Sequence, residues 1–185
     1  MQKLTMFNLV SVDGYFSGQN GDISWHKTDD EEFHSLATRN VTSGRTLVFG
    51  RVTYDLMERF WSTPEAKQLD PVIAKAMNES KKIVASRSIE NPSWTGTTLI
   101  RGELIEGIRC LKMQPGNGLC ILGSGQLVAQ LAQANLIDEF ELLVVPIAIG
   151  TGRTLFQGIK GPLNLKLIGN KAFRNGSMLL TYAPA

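Results

Sequence analysis

The feature that most constrains the fold is a stretch at residues 118–127, GLCILGSGQL, in which an apolar run stops at a pair of glycines. The run itself, 119–122, follows a cluster of turn residues and is typical of a buried strand. Apolar residues then recur at helical spacing, at Leu127, Val128, Leu131 and Ala132. Gly123 and Gly125 are therefore predicted to lie where a strand passes into a helix.

A turn of this kind is suited to binding phosphate. The first turn of a helix has unpaired N–H groups and a partial positive charge, and glycines allow an anion to approach them. The stretch is not a complete dinucleotide fingerprint, because Val128 occupies the third glycine position and no acidic residue follows at the usual distance. On its own, the pattern fits a tight turn without a ligand equally well.

Strand and helix patterns alternate along the rest of the chain. Further strands are predicted at residues 3–12, 46–49, 82–85, 97–100, 140–149, 163–167 and 177–182. Helices are predicted from Asp29, after Gly50, across 64–80 and across 103–113. Asn175-Gly176 is a hairpin signal before the last strand. This order predicts an α/β fold in which helices cover a mainly parallel sheet that has an antiparallel C-terminal end.

Two predicted helices carry apolar residues at defined positions. The helix after Gly50 has an apolar stripe at Val52, Leu56 and Phe60. In the helix predicted across 64–80, the residues expected to point inward are Val72, Ile73 and Ala76. Both patterns predict a buried helix face.

The length and composition of the chain favour a single domain that spans residues 1–185. We also expect this domain to be located in the cytosol. A formal net charge of +2 gives no reason to expect binding to nucleic acid or to a membrane. The N-terminus does not have the layout of a signal peptide, and no apolar run reaches the length of a membrane span. Cys110 and Cys120 are expected to be reduced core residues. With two histidines and no CxxC pair, no metal site is expected.

Three turns are predicted to meet at one edge of the sheet. The turns at 50–53, 86–88 and 123–125 each follow a predicted strand, and ligands of such sheets bind at the carboxyl ends of the strands. Arg51 stands at a helix N-terminus, where the helix dipole opposes its positive charge. Its side chain is therefore expected either to bind a nearby anion or to extend into solvent. Arg51 and Arg87 can each grip a phosphate with a forked guanidinium. The pattern favours a 2′-phosphorylated adenine dinucleotide over its unphosphorylated relative.

The chain resembles the dihydrofolate reductase superfamily. The similarity is to the branch of the C-terminal reductase domain of the bifunctional deaminase-reductase of riboflavin biosynthesis. Five motifs carry it, at Ser11–Tyr15, Phe49–Tyr54, Ile83–Ser88, Ile121–Gly125 and Pro146–Phe156. These motifs span the chain in the order of the family. The paired-cysteine metal signature of the deaminase half is absent from the sequence, so the resemblance implies a free-standing reductase module.

The resemblance implies a dihydrofolate reductase-like three-layer α/β/α fold, with a central mixed, mostly parallel sheet and a C-terminal antiparallel hairpin, and an NADPH-dependent reductase. It assigns phosphates of the cofactor to Gly50, Arg51 and Thr53, and the adenosine 2′-phosphate to Ser86 and Arg87. It assigns the pyrophosphate and nicotinamide side to Gly123, Ser124, Gly125 and Gln126. The loop at 13–25 resembles the mobile loop that covers the nicotinamide, and 150–156 resembles the substrate-side loop.

Five residues are candidates for contacting the substrate. Asp13 is a candidate for polarising or protonating it, or else caps the turn at Asp13-Gly14. Asp29 is a candidate for the acid that meets a pterin in dihydrofolate reductases, or else one of four acids that open a helix. Asn8 and Arg153 either meet polar groups of the substrate or are a core polar group and a solvated loop arginine. Trp25 either contacts the substrate or packs the loop.

The leading functional hypothesis is an NADPH-dependent reductase acting on a small heterocycle. Reduction of 5-amino-6-(5-phosphoribosylamino)uracil ranks above dihydrofolate reduction, because the motifs follow the riboflavin branch. A nucleotide- or flavin-binding module without catalysis is the alternative from another class. Two points favour a homodimer. Residues 163–168 are expected to form an apolar edge, and proteins of the family commonly form homodimers.

Overall fold

An eight-stranded mixed sheet organises the fold in the computed structural model, which describes residues 1–26 and 30–185. The strands are β1 (Leu4–Ser11), β2 (Tyr15–Ser17), β3 (Thr46–Gly50), β4 (Lys82–Ala85), β5 (Thr97–Ile100), β6 (Leu119–Leu122), β7 (Glu139–Val145), β8 (Arg153–Thr154), β9 (Leu165–Ala172) and β10 (Met178–Pro184). The main sheet has the order β5-β4-β3-β6-β1-β7-β10-β9, and β2 and β8 form a separate small sheet. The first six strands of that order are parallel, and β10 runs antiparallel to both neighbours.

Helices cover both faces of the main sheet, as the sequence predicted. They are α1 (Glu31–Thr42), α2 (Arg51–Trp61), α3 (Pro64–Leu69), α4 (Pro71–Glu79), α5 (Leu104–Met113) and α6 (Gly125–Gln133), and a 3-10 turn spans Gln19–Gly21. Buried residues of α5 and α6 pack in one core cluster, and those of α1, α2 and α4 pack in the other. The dihydrofolate reductase-like α/β/α architecture is therefore confirmed. In the described part of the chain, no helix has both the length and the apolar composition of a membrane span.

The central position of β1 explains its long apolar sequence. Leu4, Met6 and Val10 belong to the core cluster with α5 and α6, whereas Phe7 and Leu9 pack with the cluster of α1, α2 and α4. A strand that lies between two parallel neighbours and under two helical layers has no polar face. The predicted central strand is therefore confirmed, with bounds one residue shorter at each end than expected.

The C-terminal hairpin is also confirmed. Phe173 donates its backbone N–H to the carbonyl of Ser177 over 2.9 Å, which closes the turn that contains Asn175 and Gly176. β9 is the edge strand of the sheet, and Leu167 and Ile168 on it are about half exposed. An apolar edge is thus present, and the homodimer stays a prediction.

The prediction of one helix across 64–80 is wrong, because the structure has two helices there, α3 and α4. Asp70 lies between them with φ −147° and ψ 89°, and its side chain accepts a hydrogen bond from the backbone N–H of Ile73. Pro71 begins α4, and a residue before proline is displaced from helical geometry. Of the three residues expected to point inward, Val72 is 52% exposed, Ile73 is buried and Ala76 is partly buried.

Three smaller expectations are also wrong. The strand predicted at 140–149 ends at Val145, because Pro146 cannot donate to the ladder. The apolar stripe of α2, at Val52, Leu56 and Phe60, is exposed, and Tyr54 is the buried residue of that helix. Cys110 is exposed on α5, whereas Cys120 is buried as expected.

Lys82 stabilises the end of α4 from inside the protein. The side chain is 1% exposed, and its ammonium donates to the carbonyls of Met77, Asn78 and Ser80 over 2.9, 3.0 and 2.7 Å. It also lies 4.6 Å from the ring centroid of Trp94. The last carbonyls of a helix need donors, and here one buried cation supplies them.

We expect Lys82→Met to lower the free energy of unfolding by about 2–4 kcal/mol, because buried carbonyl groups lose a charged donor while the apolar stem is kept. Chemical denaturation of the variant measures the loss. Lys81→Met is the matched control, since Lys81 precedes it and is exposed. Equal stability of the two variants would contradict the capping role.

Candidate functional site

A cleft of about 1610 Å³ opens at the carboxyl ends of the central parallel strands. The nine residues predicted to bind a cofactor all line it, namely Gly50, Arg51, Thr53, Ser86, Arg87, Gly123, Ser124, Gly125 and Gln126. They come from the turns after β3, β4 and β6, which are neighbours in the sheet. The structure therefore brings the three predicted turns together at one edge.

The turns after β3 and β6 hold each other through Ser124. The backbone N–H of Gly50 donates to Oγ of Ser124 over 2.7 Å, and that hydroxyl donates to Oγ1 of Thr53 over 2.9 Å. Ser124 has a left-handed backbone, with φ 62°, which is strained for a residue with a side chain. The two hydrogen bonds explain why a serine occupies this position, because they link the N-termini of α2 and α6.

The N-termini of α2 and α6 are open to a ligand. Neither helix has a side-chain hydrogen bond at its N-cap, which is Gly50 in one and Ser124 in the other. By contrast, α1, α3 and α4 are capped by Asp30, Thr63 and Asp70. Two uncapped helix starts on one cleft wall leave N–H groups and two positive dipole ends for an anion.

The two predicted arginines have different surroundings. Arg87 is exposed at the end of the turn after β4, and Ser86 folds that turn by accepting hydrogen bonds from the N–H groups of Ser88 and Ile89 over 3.2 and 3.1 Å. Arg51 pairs with Asp55 one helical turn on, at 3.2 Å. An exposed pair of this kind is worth about 0–1 kcal/mol, so Arg51 remains able to exchange Asp55 for a phosphate.

The other end of the cleft lies between the sheet and the helices α1, α2 and α4. It is lined mainly by apolar side chains, among them Phe33, Ala37, Val41, Met57, Trp61 and Ile73. Small-molecule sites are typically apolar with a few polar groups that fix orientation. The cleft therefore joins a polar end at the turns to an apolar end beneath the helices.

Asn8 and Arg153 both line the cleft, as predicted for substrate contacts. Asn8 is buried on β1, and its Nδ2 lies 3.2 Å from Sδ of Met6 and 3.5 Å from the carbonyl of Gly123. The contact with the carbonyl of Gly123 is long for a hydrogen bond. Arg153 is exposed on β8 at the rim. Their roles towards a substrate stay predictions.

Asp13 lies outside the residues that line the cleft. Its carboxylate accepts hydrogen bonds from Oγ of Ser11 over 2.5 Å and from the backbone N–H groups of Ile149 and Gly150 over 3.2 and 2.8 Å. The bond from Ser11 is the largest of the effects that lower the pKa of this carboxyl group. These contacts tie the end of β1 to the loop after β7. A catalytic role for Asp13 stays a prediction.

Trp25 and Asp29 were the remaining candidates. Trp25 does not line the cleft; its ring stands edge-on to that of His26, with centroids 4.2 Å apart. Asp29 lies outside the described residues.

His26 lines the cleft and was missed by the sequence reasoning, which considered the histidines only as metal ligands. Its Nε2 is buried and has no hydrogen-bond partner among residues 1–26 and 30–185. Burial is the main cause that lowers the pKa of His26 to about 4, so the ring is neutral at neutral pH. The sequence held one weak signal for this residue, which is its place in the glycine-rich loop next to Trp25.

Residues 2–179 match the family model of the RibD C-terminal domain. Among curated proteins, the chain is similar to two from Bacillus subtilis (strain 168). The uncharacterised protein YyaP is 27% identical over 94% of this chain and 90% of its own, and the uncharacterised protein YwjB is 27% identical over 93% and 92%.

Solved structures share the fold over the whole of this chain. One from Shewanella sp. PV-4, described as a riboflavin biosynthesis protein, has a TM-score of 0.76 at 22% identity, and 99% of it is covered. A pyrimidine reductase-like protein from Corynebacterium diphtheriae has a TM-score of 0.66 at 13% identity, with 92% of it covered. A diaminohydroxyphosphoribosylaminopyrimidine deaminase/5-amino-6-(5-phosphoribosylamino)uracil reductase from Thermotoga maritima has a TM-score of 0.69 at 16% identity. This chain covers 57% of that last protein.

Proposed function

Because the chain belongs to the RibD C-terminal domain family, a branch of the dihydrofolate reductase superfamily, we propose that it is an NADPH-dependent reductase of a small heterocycle. The observation that carries the proposal is the meeting of three turns from β3, β4 and β6 on one cleft. The cofactor supplies the hydride in such a reaction, and the protein supplies binding and orientation.

The polar end of the cleft fits the phosphates of NADPH. The uncapped N-termini of α2 and α6 would hold the pyrophosphate, with the linked Gly50, Thr53 and Ser124 fixing their spacing. Arg87 is exposed and free to form a forked contact with the 2′-phosphate. Arg51 would add positive charge at the start of α2.

The volume of the cleft supports a second ligand beside the cofactor. A site for one drug-sized ligand measures roughly 300–1,000 Å³, and this cleft measures about 1610 Å³. The apolar end, between β1 and the helices α1, α2 and α4, would hold a flat heterocycle. Holding both ligands in contact is the chief contribution that the protein makes to hydride transfer.

The substrate proposed first is 5-amino-6-(5-phosphoribosylamino)uracil, or a related pyrimidine. The Thermotoga protein carries this reductase activity in its name, and the present chain matches the part of that protein that has the same fold. Dihydrofolate is the second candidate, because apolar walls would also suit a pterin ring. A nucleotide-binding module without catalysis is the alternative from another class.

Two measurements test the proposal in sequence. Fluorescence titration compares NADPH with NADH, and we expect NADPH to bind more tightly. Single-turnover absorbance at the nicotinamide band then follows NADPH mixed with the aminouracil or with dihydrofolate. Oxidation with one of them supports the reductase, and binding without oxidation supports the non-catalytic module. Failure to bind NADPH would overturn both.

A further inference from the structure

Two rows of side chains run along the side of α2 that borders the cleft. The inner row includes Met57 and Trp61, which are partly buried and line the cleft. The outer row consists of Val52, Leu56 and Phe60, which are exposed. Residues three or four positions apart on a helix are neighbours, so the outer row is continuous and Phe60 adjoins Met57. The outer row therefore extends the apolar wall of the cleft onto the surface.

Three exposed apolar residues lie at the opening of the cleft. Val52 and Leu56 of the outer row line the cleft, and so does Leu69 at the end of α3. We call these three residues the apolar lip. Exposed apolar residues are common when they are scattered singly, whereas a group of them at the opening of a cleft marks a binding surface.

The charged group beside Leu69 is paired within the protein. Asp70, the next residue, accepts a hydrogen bond from the backbone N–H of Ile73 over 2.8 Å, and its Oδ2 lies 2.5 Å from Nε2 of His34. In the described part of the chain, α3 and α4 contribute no lysine or arginine to the cleft. A phosphate group would lack a cationic partner on those two helices, whereas an uncharged apolar group would gain from the removal of apolar surface from water.

A group of the substrate is favoured over a second copy of the chain as the occupant of the apolar lip. The three residues of the lip line the cleft, so a protein surface that covered them would obstruct the opening that the ligands must use. Phe60 is next to Leu56 in the outer row and is equally exposed, but it does not line the cleft. A protein interface on this side of α2 would include Phe60, and a ligand in the cleft would not.

We propose that the apolar lip binds an uncharged apolar substituent of the heterocycle, such as an alkyl or aryl group. The inference rests on the proposed function, and it favours a related pyrimidine with such a substituent over the phosphoribosyl compound. The ring lies against Met57 and Trp61, and its substituent crosses to Leu56 and Leu69. Each methylene group buried against the lip adds to the binding free energy, so affinity rises with the length of the substituent.

Isothermal titration calorimetry with a series of 6-(alkylamino)uracils tests the inference. The series comprises 6-aminouracil and its methylamino, butylamino and hexylamino analogues, and each compound is titrated with and without saturating NADP⁺. We expect the affinity of the wild-type protein to rise about two- to fourfold for each methylene group added. An analogue of the hexyl compound that ends in a carboxylate, 6-[(5-carboxypentyl)amino]uracil, should bind at least about 10-fold more weakly than the hexyl compound.

Leu56→Gln and Phe60→Gln form a matched pair of variants. Both residues are apolar, lie on α2 and are 42% exposed, but Leu56 lines the cleft and Phe60 does not. Leu56→Gln should reduce the gain for each methylene group to less than about 1.5-fold, and Leu69→Gln should do the same. Phe60→Gln should bind the series as the wild-type protein does. Because the positions are exposed and glutamine is a good helix former, the melting temperatures should stay near that of the wild-type protein.

The outcomes separate the inference from its alternatives. Affinity that does not rise with the length of the substituent, no binding of the series, equal effects of Leu56→Gln and Phe60→Gln, or tighter binding of the carboxylate would each overturn it. Sedimentation velocity detects the other occupant, since a dimer that both substitutions dissociate would assign the lip to a second copy and also overturn the inference. Dependence on length in a protein that never oxidises NADPH would sustain the inference and reject the reductase. Oxidation of NADPH without dependence on length would do the reverse.

Discussion

Replacing Arg87 with alanine is expected to weaken NADPH binding by about 10- to 100-fold while changing NADH binding by no more than about twofold. The physical reason is that a forked, charge-assisted contact to the 2′-phosphate is lost, and NADH lacks that phosphate. Arg87 is exposed beside the turn that Ser86 folds, so its removal leaves no buried group unpaired. Fluorescence titration of both cofactors gives the ratio directly.

The control for Arg87 is Arg101→Ala. Arg101 follows the neighbouring strand β5 and donates to the carbonyl of Glu90 over 2.8 Å, so its loss changes the net charge at the same sheet edge and removes neither of the hydrogen bonds that Ser86 accepts in the turn. A general electrostatic effect would lower NADPH affinity in both variants. Equal losses of NADPH and NADH affinity in Arg87→Ala would refute a contact with the 2′-phosphate.

Gly152→Ala is expected to destabilise the protein by about 2–4 kcal/mol and to raise the KM for the substrate while NADPH affinity stays near that of the wild-type protein. A Cβ atom at this position would lie 2.1 Å from the carbonyl oxygen of Ser17, which is backbone and cannot turn aside. Relief of the clash has to separate β2 from β8, which pair through Ser17 and Arg153. Arg153, which is predicted to contact the substrate, lies on that small sheet and lines the cleft.

Gly150→Ala separates the clash from the backbone strain. Gly150 also has a positive φ, 71°, but a Cβ atom there would have no atom within 4 Å. We expect it to cost roughly 1–2 kcal/mol, the cost of a left-handed backbone alone. Thermal unfolding and steady-state kinetics of both variants provide the comparison. Identical behaviour of Gly150→Ala and Gly152→Ala would contradict a role for the β2–β8 contact.

The sheet and its helical layers could be predicted from the sequence because strand and helix patterns alternate without interruption. The apolar run of β1 and the Asn175-Gly176 turn were local signals with one structural solution each. The prediction of a single helix across 64–80 failed. The apolar spacing indicated one helix, but Pro71 ends the first helix and begins a second. The prediction that the apolar stripe of α2 is buried failed for another reason. Periodicity shows that a face is apolar, but it does not show whether the core or an open cleft lies opposite.

The polar end of the site could also be predicted, because the carboxyl ends of parallel strands meet at one edge. The opposite end could not, because its walls come from separate parts of the chain. His26 is informative only once the structure places it on the wall of the cleft. Likewise, the contacts of the Asp13 carboxylate with Ile149 and Gly150 could not be predicted, because they join residues that lie far apart in sequence.

The link between Gly50, Thr53 and Ser124 has a consequence for how this cleft can change during evolution. Those residues link two helix starts through the hydroxyl groups of Ser124 and Thr53 and the backbone N–H of Gly50, so a substitution that removes either hydroxyl breaks the link. Side chains such as Phe33, Met57 and Trp61 at the far end form no comparable network and can be exchanged for others of similar volume. Selection can therefore reshape one end of the cleft while the other is inherited unchanged. Directed libraries for new substrates should vary the apolar residues of α1, α2 and α4 that line the cleft and leave the three turns fixed.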